Sequence, residues 1–282
     1  MIGKQFSKYW WRRKFKKIIL NKNKYYFLNV ICRFRNDENL IFDKKRKIKI
    51  VYELNTDIGN VLFFEGCFEE EEIDFVSDRL KLIDKPVILD IGANIGLHSL
   101  IWSFRFESRS EIYAFEPSKY TRDILKRNIK INKKCSNIKV IPLAVSNCCG
   151  TTFFFDADDN AYSSLKNTER KNIKEKYKVD TITIDKFVAD NNMKKIDFLK
   201  VDVEGFETEV IEGAKKCLSK FTPDVFIEIY EGTNSNVDAN VTIGKLKKLG
   251  YIPYILKNKT LQTFKVHSDT DYNYYCIHKE KL

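Results

Sequence analysis

The stretch that begins at Asp90 carries the clearest signal for ligand binding in this sequence. It reads Asp-Ile-Gly-Ala-Asn-Ile-Gly, and Gly92 and Gly96 would allow the backbone to approach a ligand closely. The fingerprint of dinucleotide-binding loops requires glycine at positions 94 and 97, where this chain has Asn94 and Leu97. This difference argues against a cradle for a pyrophosphate. It favours a ligand with a cationic, amino-acid-like part, such as S-adenosylmethionine, for which Asp90 supplies negative charge.

A second acidic position follows at a distance that suits the sugar of a nucleoside. Glu116 lies 24 positions after Gly92, at the end of an apolar segment and directly before Pro117. A carboxylate there can accept hydrogen bonds from both ribose hydroxyls, although a solvated strand end is the alternative for Glu116 taken alone. Farther along, the segment 144–146, with Val145 at its centre, consists of small residues that suit the flank of an adenine ring.

Two carboxylates in the segment Lys-Val-Asp-Val-Glu-Gly are candidates for the chemical step. Methyl transfer requires the acceptor to be held in line with the methyl group, and a hydroxyl acceptor benefits from a base that takes its proton. Asp202 and Glu204 alternate along a strand and point to opposite faces if the strand continues, although Gly205 is able to re-aim Glu204. We expect Asp202 near the acceptor or the cofactor amino group, and Glu204 as the base or an orienting group. The alternative is structural: Glu204 caps the next helix and Lys200 pairs with one carboxylate.

Five further polar residues are candidates for binding the acceptor, and all of them except Glu228 have a structural alternative. They are His98, Asn160, Ser163, Ser164 and Glu228. His98 follows the glycine turn and is either a cleft residue or a packed histidine. The polar loop from Asn160 to Ser164 either binds acceptor hydroxyls or forms a turn, and Glu228 ends a later strand that is expected to line the acceptor pocket.

The elements that must hold these residues alternate between short apolar strands and amphipathic helices from about Pro86 onward. Near-continuous apolar strands separated by helices predict a doubly wound, mostly parallel α/β sheet covered on both faces. Such sheets bind ligands at the carboxyl ends of central strands. The predicted strands are 47–54, 61–64, 87–91, 112–115, 138–141, 151–155, 196–201, 225–229, 251–256 and 274–277. The predicted helices lie near 73–80, 97–104, 120–131, 210–218 and 243–249.

The first 80 residues differ from the rest. We divide the chain into a basic N-terminal extension with lead-in elements (1–80) and a domain that carries the candidate residues for S-adenosylmethionine binding and methyl transfer (81–282). No acidic residue occurs before Asp37, whereas nine lysines and arginines lie within residues 1–24. The net charge of +11 favours an anionic partner, such as a phosphorylated or lipid-linked acceptor or a membrane, and solubility is the plain alternative. Segment 10–20 mixes aromatic and basic residues, so it either lies on an anionic membrane or packs on the catalytic body.

The cysteines, the histidines and the hydropathy of the chain allow predictions about its compartment, a metal site and its relation to membranes. Seven scattered cysteines without a CxxC pair predict a reduced, cytoplasmic protein. The three histidines lack the spacing of metal ligands, which predicts no metal site. No apolar run approaches the roughly 18 residues needed to span a bilayer, so we expect a cytoplasmic protein, with peripheral membrane contact left open.

These motifs together resemble those of the FkbM-type methyltransferases, a branch of the class I S-adenosylmethionine-dependent enzymes. The matching stretches occur in the family's order and spacing: Leu89–His98, Ala114–Pro117, Pro142–Asn147 and Lys200–Glu207. The resemblance implies a seven-stranded methyltransferase sheet and O-methylation, often of sugar or polyketide hydroxyls. It also implies that Glu116 holds the cofactor ribose. The residues that it places around the methionine part of the cofactor are Asp90, Gly92, Ala93, Asn94 and Gly96.

The sequence therefore predicts an O-methyltransferase that acts on a carbohydrate or a glycosylated metabolite, with two alternatives. A nucleic-acid methyltransferase is favoured by the charge. It is opposed by the segment Asp-Val-Glu-Gly, because enzymes that methylate base amino groups often carry Asn/Asp-Pro-Pro-aromatic at this place. A non-enzymatic, membrane-associated protein that retains the fold is opposed by the intact set of acidic and glycine motif residues.

Overall fold

The structure is a computed structural model that describes residues 38–43, 45–54, 56–106, 109–230, 239–264 and 272–282. Residues 1–24, for which we predicted a membrane or packing role, lie outside these ranges. Within the described ranges, no helix is long and apolar enough to cross a membrane.

The strands are β1 Glu38–Asp43, β2 Ile48–Glu53, β3 Val87–Ile91, β4 Glu111–Phe115, β5 Ile138–Ile141, β6 Ala144–Val145, β7 Gly150–Ala157, β8 Ile173–Ile182, β9 Phe198–Val201, β10 Asp224–Glu228, β11 Tyr251–Lys257, β12 Thr260–Thr263 and β13 Asn273–His278. The α-helices are α1 Asp57–Glu65, α2 Glu70–Leu80, α3 Leu97–Arg105, α4 Lys119–Ile131, α5 Ile184–Asp190, α6 Glu207–Glu212, α7 Lys215–Phe221 and α8 Ala239–Lys248.

Eight strands form one main sheet in the order β12–β11–β13–β10–β9–β3–β4–β5. The five neighbours from β10 to β5 are parallel, and β13 pairs antiparallel with both β10 and β11. This arrangement confirms the predicted doubly wound, mostly parallel sheet. From β3 the chain first adds β4 and β5 on one side, and later adds β9 and β10 on the other. The carboxyl ends of β3 and β9 therefore form the point where such sheets bind ligands.

The main sheet has one strand more than the seven that the family resemblance implies. β11 and β12 pair antiparallel, and Lys257 faces Thr260, so only Asn258 and Lys259 form the turn between them. Both turn residues have positive φ (51° and 59°), which is the geometry of a type I′ hairpin turn. Two-residue turns of this kind favour Asn-Gly, and the lysine in place of glycine hides the signal in the sequence.

The two faces of the sheet are covered by separate hydrophobic cores. Successive residues of β3 point to opposite sides, as the pleat of a strand requires. Ile88 packs in the core that contains Trp102 of α3, whereas Leu89 packs in the core that contains Phe187 of α5. Every residue of β3 is buried, including Asp90, which explains why its sequence is apolar at all other positions and lacks apolar–polar alternation.

The segment 61–64, for which we predicted a strand, is helical, so that prediction is wrong. Periodicity cannot distinguish a strand from a helix in so short an apolar run. The flanking residues decide it. The Thr56 hydroxyl accepts a hydrogen bond from the Gly59 N–H (3.0 Å) at the start of α1, and Gly66 ends the helix in the left-handed conformation (φ 83°).

The lead-in strands pair with each other and are tied to the body of the protein through Asn128 of α4. This side chain is fully buried. Its oxygen accepts from the N–H of Val51 (2.7 Å), and its amide donates to the carbonyls of Val51 (3.1 Å) and Ile95 (2.9 Å). The predicted domain boundary near residue 80 stays a prediction, since β1 and β2 share a hydrophobic core with α3 and α4.

A second, three-stranded sheet in the order β6–β8–β7 contains the hairpin that we predicted after the third main strand. β7 and β8 pair antiparallel along almost their whole length. The connection between them returns toward the hairpin, where Phe155 pairs with Ser164. We call residues 158–172 the hairpin loop; it supplies part of the site described next.

Candidate functional site

A cleft of about 410 Å³ opens at the carboxyl ends of β3, β4, β9 and β10. Its walls come from the glycine turn after β3, the ends of the neighbouring strands, α1 and the hairpin loop. The predicted site residues in these walls are Gly92, Ala93, Asn94, His98, Glu116, Pro117, Val145, Asn160, Ser163, Ser164, Asp202, Glu204 and Glu228. The sheet thus brings together residues that lie far apart in the sequence. Asp90 and Gly96 are the two predicted site residues that lie outside the wall.

The glycine turn is shaped by its neighbours in the protein. Gly92 has φ 77°, and a Cβ built on it would lie 1.7 Å from the carbonyl oxygen of Asp202, so no other residue fits here. Asn94 also has positive φ (50°) and presents its N–H to Glu116. Gly96 has φ 85° and allows close packing of Leu125, because a Cβ there would lie 2.1 Å from that side chain. Gly92 therefore sets how closely β3 and the segment after β9 approach each other.

Glu116 ends β4 with a buried carboxylate that keeps part of its hydrogen-bonding capacity. One oxygen accepts from the N–H of Ser118 (2.8 Å), and the other accepts from the N–H of Asn94 (2.9 Å). An ionised carboxylate has about four acceptor sites, so about two remain. Burial raises the pKa of Glu116 to about 7, although the two backbone N–H groups and Arg122 oppose the rise.

Lys200 lies at the centre of a buried ionic network behind the cleft. Its ammonium group is 2.8 Å from a carboxylate oxygen of Asp202 and 3.9 Å from Oδ1 of Asp90. Burial alone would lower the pKa of Lys200, but the carboxylates of Asp202, Asp90 and Glu69 raise it above its ordinary value. Asp90 also accepts a hydrogen bond from the hydroxyl of Ser99 (2.6 Å). The structural alternative for Lys200, pairing with a carboxylate, is thus present in the structure.

Asp202 and Glu204 do not point to opposite faces, because β9 ends at Val201. Glu204 and Gly205 both have positive φ (54° and 99°), and this backbone turn re-aims the Glu204 side chain. A non-glycine residue in this conformation costs of order 1 kcal/mol or more, so the surroundings must hold it. Asp202, Glu204 and Glu228 each place a carboxylate oxygen within 4.8 Å of the others. The condition for divergence, a strand that continues past Val201, is therefore not met, and the structure shows the re-aimed Glu204 that we gave as the other possibility.

The three carboxylates at this end of the cleft meet two cationic side chains. Asp202 pairs with Lys200, and Glu204 accepts a short hydrogen bond from Nη1 of Arg170. Three carboxylates this close could approach one metal ion, but two of them already have a cationic partner, and we assign no metal to the group. The positive charge beside these carboxylates comes from the side chains of Lys200 and Arg170.

Burial and mutual repulsion raise the pKa values of the glutamates around this group. Burial raises the pKa of Glu204 to about 8, Asp202 adds to the rise, and Arg170 opposes it. Burial likewise raises the pKa of Glu207 to about 7. The pKa of Glu228 lies well above its ordinary value because of burial and then the negative charges of Asp202, Glu69 and Glu204. Groups that exchange protons near neutral pH are suited to general acid–base chemistry.

Arg170 is held between two aromatic rings of different elements. Its guanidinium carbon lies 4.3 Å from the ring centroid of Tyr162 in the hairpin loop, and 4.3 Å from that of Tyr230 after β10. Tyr162 donates a short hydrogen bond from its hydroxyl to Asp57 at the start of α1, and Tyr230 packs edge-on against Tyr272. We call these four groups, Tyr162, Arg170, Tyr230 and Tyr272, the tyrosine–arginine stack.

His98 contacts a carboxylate that the sequence did not single out. Its Nε2 lies 2.9 Å from Oε2 of Glu69, and both side chains are largely buried. Burial alone would raise the pKa of Glu69, but His98 and Lys200 lower it below its ordinary value. His98 is therefore a largely buried, packed histidine that also lines the cleft, so both predicted locations are found.

The polar residues of the hairpin loop are partly engaged within the protein. The hydroxyl of Ser164 donates to the carbonyl of Val203 (2.9 Å), and the hydroxyl of Ser163 donates to Asp156 (3.0 Å). In contrast, the buried Oδ1 of Asn160 makes no hydrogen bond to the described residues. Asn160 is thus a residue of the cleft wall whose buried side-chain oxygen has no partner among the described residues.

Sequence reasoning missed Glu69, Arg170 and the three tyrosines of the stack. Glu69 lies in an acidic run whose local role, to open α2, masked its contact with His98. Arg170 lies in a loop without periodicity, and its partners are 8, 34 and 60 residues away in the chain. No local pattern marks such contacts. The spacing of aromatic residues around the predicted strand ends is the sole weak indication in the sequence.

Comparisons with known proteins identify the family of the chain. A family profile described as "Methyltransferase FkbM domain" matches residues 90–253. The methyltransferase sdnD of Sordaria araneosa is 30% identical over 199 residues, which cover 59% of this chain and 76% of that protein. The hexuronic acid methyltransferase AglP of Haloferax volcanii is 30% identical over 153 residues, 54% of this chain and 59% of that protein, less than two thirds of its length. The 2-O-methyltransferase NoeI of Sinorhizobium fredii is 26% identical over 173 residues, 54% of this chain and 70% of that protein.

The matched region begins at Asp90 within β3 and contains β4, β9 and β10, so it includes the strand ends that form the cleft and the motifs that resemble this family. The chain belongs to the FkbM methyltransferase family.

Proposed function

We propose that the protein uses S-adenosylmethionine to methylate a hydroxyl of a carbohydrate or a glycosylated metabolite. The observation that supports this most strongly is that one cleft contains both Glu116 and the carboxylates of Asp202, Glu204 and Glu228. Glu116 ends β4, and Glu228 ends β10, three strands away in the sheet. Neighbouring strands are about 4.8 Å apart, so the two ends of the cleft are separated by roughly 14 Å.

The residues at the β4 end fit the nucleoside part of this cofactor. The acceptor sites that Glu116 leaves open suit two ribose hydroxyls, which are hydrogen-bond donors. Pro117, Leu143 and Val145 line the same end of the cleft and provide apolar contacts for an adenine ring. Gly92, Ala93 and Asn94 line the cleft between the two ends and would surround the methionine part.

When bound, S-adenosylmethionine supplies an electrophilic methyl group. The residues at the β9 and β10 ends then have two tasks: to hold the acceptor hydroxyl and to take its proton. Glu204 suits the second task because its pKa of about 8 allows it to exchange a proton near neutral pH. Asp202, which is paired with Lys200, suits the first, since an ionised carboxylate accepts hydrogen bonds from a hydroxyl.

The walls of the acceptor end suit a carbohydrate. Three tyrosines, Tyr162, Tyr230 and Tyr272, line the cleft beside the carboxylates. Aromatic rings beside hydrogen-bonding carboxylates suit a sugar, which has both apolar C–H faces and hydroxyl groups. Two relatives, named for a hexuronic acid and for a 2-O position, point in the same direction. His98, Asn160, Ser163 and Ser164 remain proposed acceptor contacts.

A phosphorylated or lipid-linked acceptor, and a membrane contact through residues 1–24, rest on charge alone and remain part of the proposal. Deletion of residues 1–24 tests them: acceptor affinity and its dependence on salt should both fall. If neither changes, the basic segment has no part in acceptor binding.

A screen of acceptors with labelled cofactor tests the proposed function. We expect transfer of a labelled methyl group to a nucleotide sugar or glycan, detected by mass spectrometry, and no transfer to a mixture of RNAs. Glu204→Gln should abolish most of the transfer, whereas Glu280→Gln, which changes a glutamate with a 73% exposed side chain, should not. Transfer to RNA with a steep salt dependence would instead support the nucleic-acid alternative.

A further inference from the structure

We propose that Arg170 is a positioning residue for the acceptor end of the cleft: stacked between Tyr162 and Tyr230, it fixes the Glu204 carboxylate where an acceptor hydroxyl binds. This inference rests on the proposed function, in which Glu204 takes the acceptor proton. It assigns a role to the hairpin loop, which is an insertion beside the main sheet and carries both Tyr162 and Arg170.

The contacts of Arg170 hold it in one orientation. The guanidinium carbon lies 4.3 Å from the centroid of each of two aromatic rings, and these two contacts restrict the orientation of the group. Its edge, at Nη1, donates to Oε2 of Glu204. The side chains of Arg170 and Glu204 are 21% and 15% exposed, which limits competition from water. A planar, delocalised cation can stack on aromatic rings and donate from its edge at the same time, which a lysine ammonium cannot do in the same geometry.

Glu204 lies outside regular secondary structure, so its backbone does not fix the direction of its side chain, and a partner is needed to do so. It lies beyond the end of β9 with positive φ, and no hydrogen bond from its own turn fixes its carboxylate. Arg170 is the residue that pairs with this carboxylate among those described. The position of Glu204 over the cleft thus depends on a contact 34 residues away in the chain.

Both ends of the stack are anchored to elements on different sides of the cleft. Tyr162 is bound to Asp57 of α1, and the N–H of Asp57 donates to Asp159 in the hairpin loop (2.9 Å). On the other side, Tyr230 follows β10 and packs against Tyr272 before β13. The hairpin loop therefore spans the acceptor end, and Arg170 is its point of contact with the carboxylates.

The charged groups around Glu204 predict how its pKa changes when Arg170 is removed, and this change can be measured. The groups that face it are Asp202 after β9, Glu207 of α6, Glu228 of β10 and Arg170 of the loop, with Lys200 paired to Asp202. Of these, only Arg170 contacts Glu204 with a positive charge. Its removal should therefore raise the pKa of Glu204 and leave the carboxylate without a fixed partner.

An acceptor-free experiment tests this contact directly. We would label the glutamate carboxyl carbons with ¹³C, assign the Glu204 signal by its absence in Glu204→Gln, and titrate it by NMR. Arg170→Met should move the titration of Glu204 to higher pH, and Arg170→Lys should move it less. Arg105→Met is the matched control, since Arg105 is 50% exposed on α3 and outside the cleft. An unchanged titration in Arg170→Met would overturn the inference.

Kinetics separate the positioning role from a structural one. With an acceptor found by the screen, Arg170→Met should lower kcat by about 100-fold, the order that a general base contributes. The acid limb of the pH profile of kcat should shift to higher pH, and the affinity for S-adenosylhomocysteine should stay unchanged. Arg170→Lys should retain part of kcat. If Arg170→Met keeps the wild-type kcat and pH profile, the positioning role of Arg170 is refuted and the proposed function is not. If the wild-type protein binds no S-adenosylhomocysteine, the proposed function itself is refuted.

A second variant covers the case in which Arg170→Met does not fold. Tyr230→Leu removes one face of the stack and keeps every charge. It should raise the pKa of Glu204 by a smaller amount and lower kcat less than Arg170→Met. A Tyr230→Leu protein with wild-type kcat and an unchanged Glu204 titration would count against the stack as the positioning element.

Discussion

Replacement of Glu116 by glutamine should make the ligand-free protein more stable at high pH relative to wild type, and should weaken cofactor binding. Burial raises the pKa of this carboxyl from its ordinary 4.5 to about 7. Because the folded-state pKa is higher, the folded protein binds the proton more tightly than the unfolded chain does. The wild-type free energy of unfolding should therefore fall as pH rises from about 4.5 to about 7.

The size of this effect follows from the two pKa values. Their difference corresponds to about 3 kcal/mol, since one pKa unit is about 1.4 kcal/mol. Glutamine has one acceptor oxygen, so it cannot serve both Ser118 and Asn94, and the lost hydrogen bond costs about 1 to 3 kcal/mol at every pH. The variant should thus be less stable than wild type at pH 5. At pH 8 it should equal or exceed it, a relative change of about 3 kcal/mol.

Urea unfolding at pH 5 and pH 8, followed by circular dichroism, measures this change. Glu111→Gln is the matched control, because Glu111 begins the same strand and its side chain is 56% exposed. The control should show no such relative change. Calorimetric titration at pH 8 should show S-adenosylhomocysteine binding to Glu116→Gln about 10- to 100-fold more weakly, the loss expected for hydrogen bonds to a charged group. Parallel stability curves, or equal affinities, would refute this account of Glu116.

Three further substitutions test other parts of the account. Gly92→Ala should destabilise the protein strongly and abolish cofactor binding, because its Cβ would lie 1.7 Å from the Asp202 carbonyl; Gly66→Ala, also at positive φ but with open space, should cost only about 1 kcal/mol in urea unfolding. Asn128→Leu should lower the free energy of unfolding by about 3 kcal/mol or more, since it leaves three buried backbone groups unpaired, whereas the exposed Lys126→Ala on the same helix should change little. Lys200→Met should cost about 3 to 5 kcal/mol because it leaves Asp202 and Asp90 without their cation; a melting temperature equal to that of wild type would show that Lys200 does not neutralise them.

The strand–turn–helix unit around the glycine motif could be predicted because its signals are local. β3 is buried on both faces, so its sequence is apolar apart from Asp90, and Gly92 at positive φ marks the turn. Parallel register then brings the end of β4 beside it, where Ile91 pairs with Phe115. The location of Glu116 at the cleft follows from that register. The main sheet and the cofactor end of the site were therefore accessible from the sequence.

The acceptor end could not be predicted because contacts between distant segments determine it. The sequence left open whether the strand continues past Val201, in which case Asp202 and Glu204 diverge, or whether Gly205 re-aims Glu204; the strand ends at Val201, and Glu204 and Gly205 have positive φ. The carboxylate of Glu204 pairs with Arg170, which lies in a loop whose sequence gives no structural period. The same limit explains the error at 61–64, where the caps of α1, and not the apolar run itself, decide the structure.

A crystal structure of the protein with S-adenosylhomocysteine tests the central claim most directly. The account predicts the ribose hydroxyls on the carboxylate of Glu116, the adenine beside Pro117 and Val145, and the sulfur directed toward the end of the cleft that holds Asp202 and Glu204. A complex in which the nucleoside lies elsewhere, or in which the carboxylates of β9 and β10 face away from the sulfur, would contradict it.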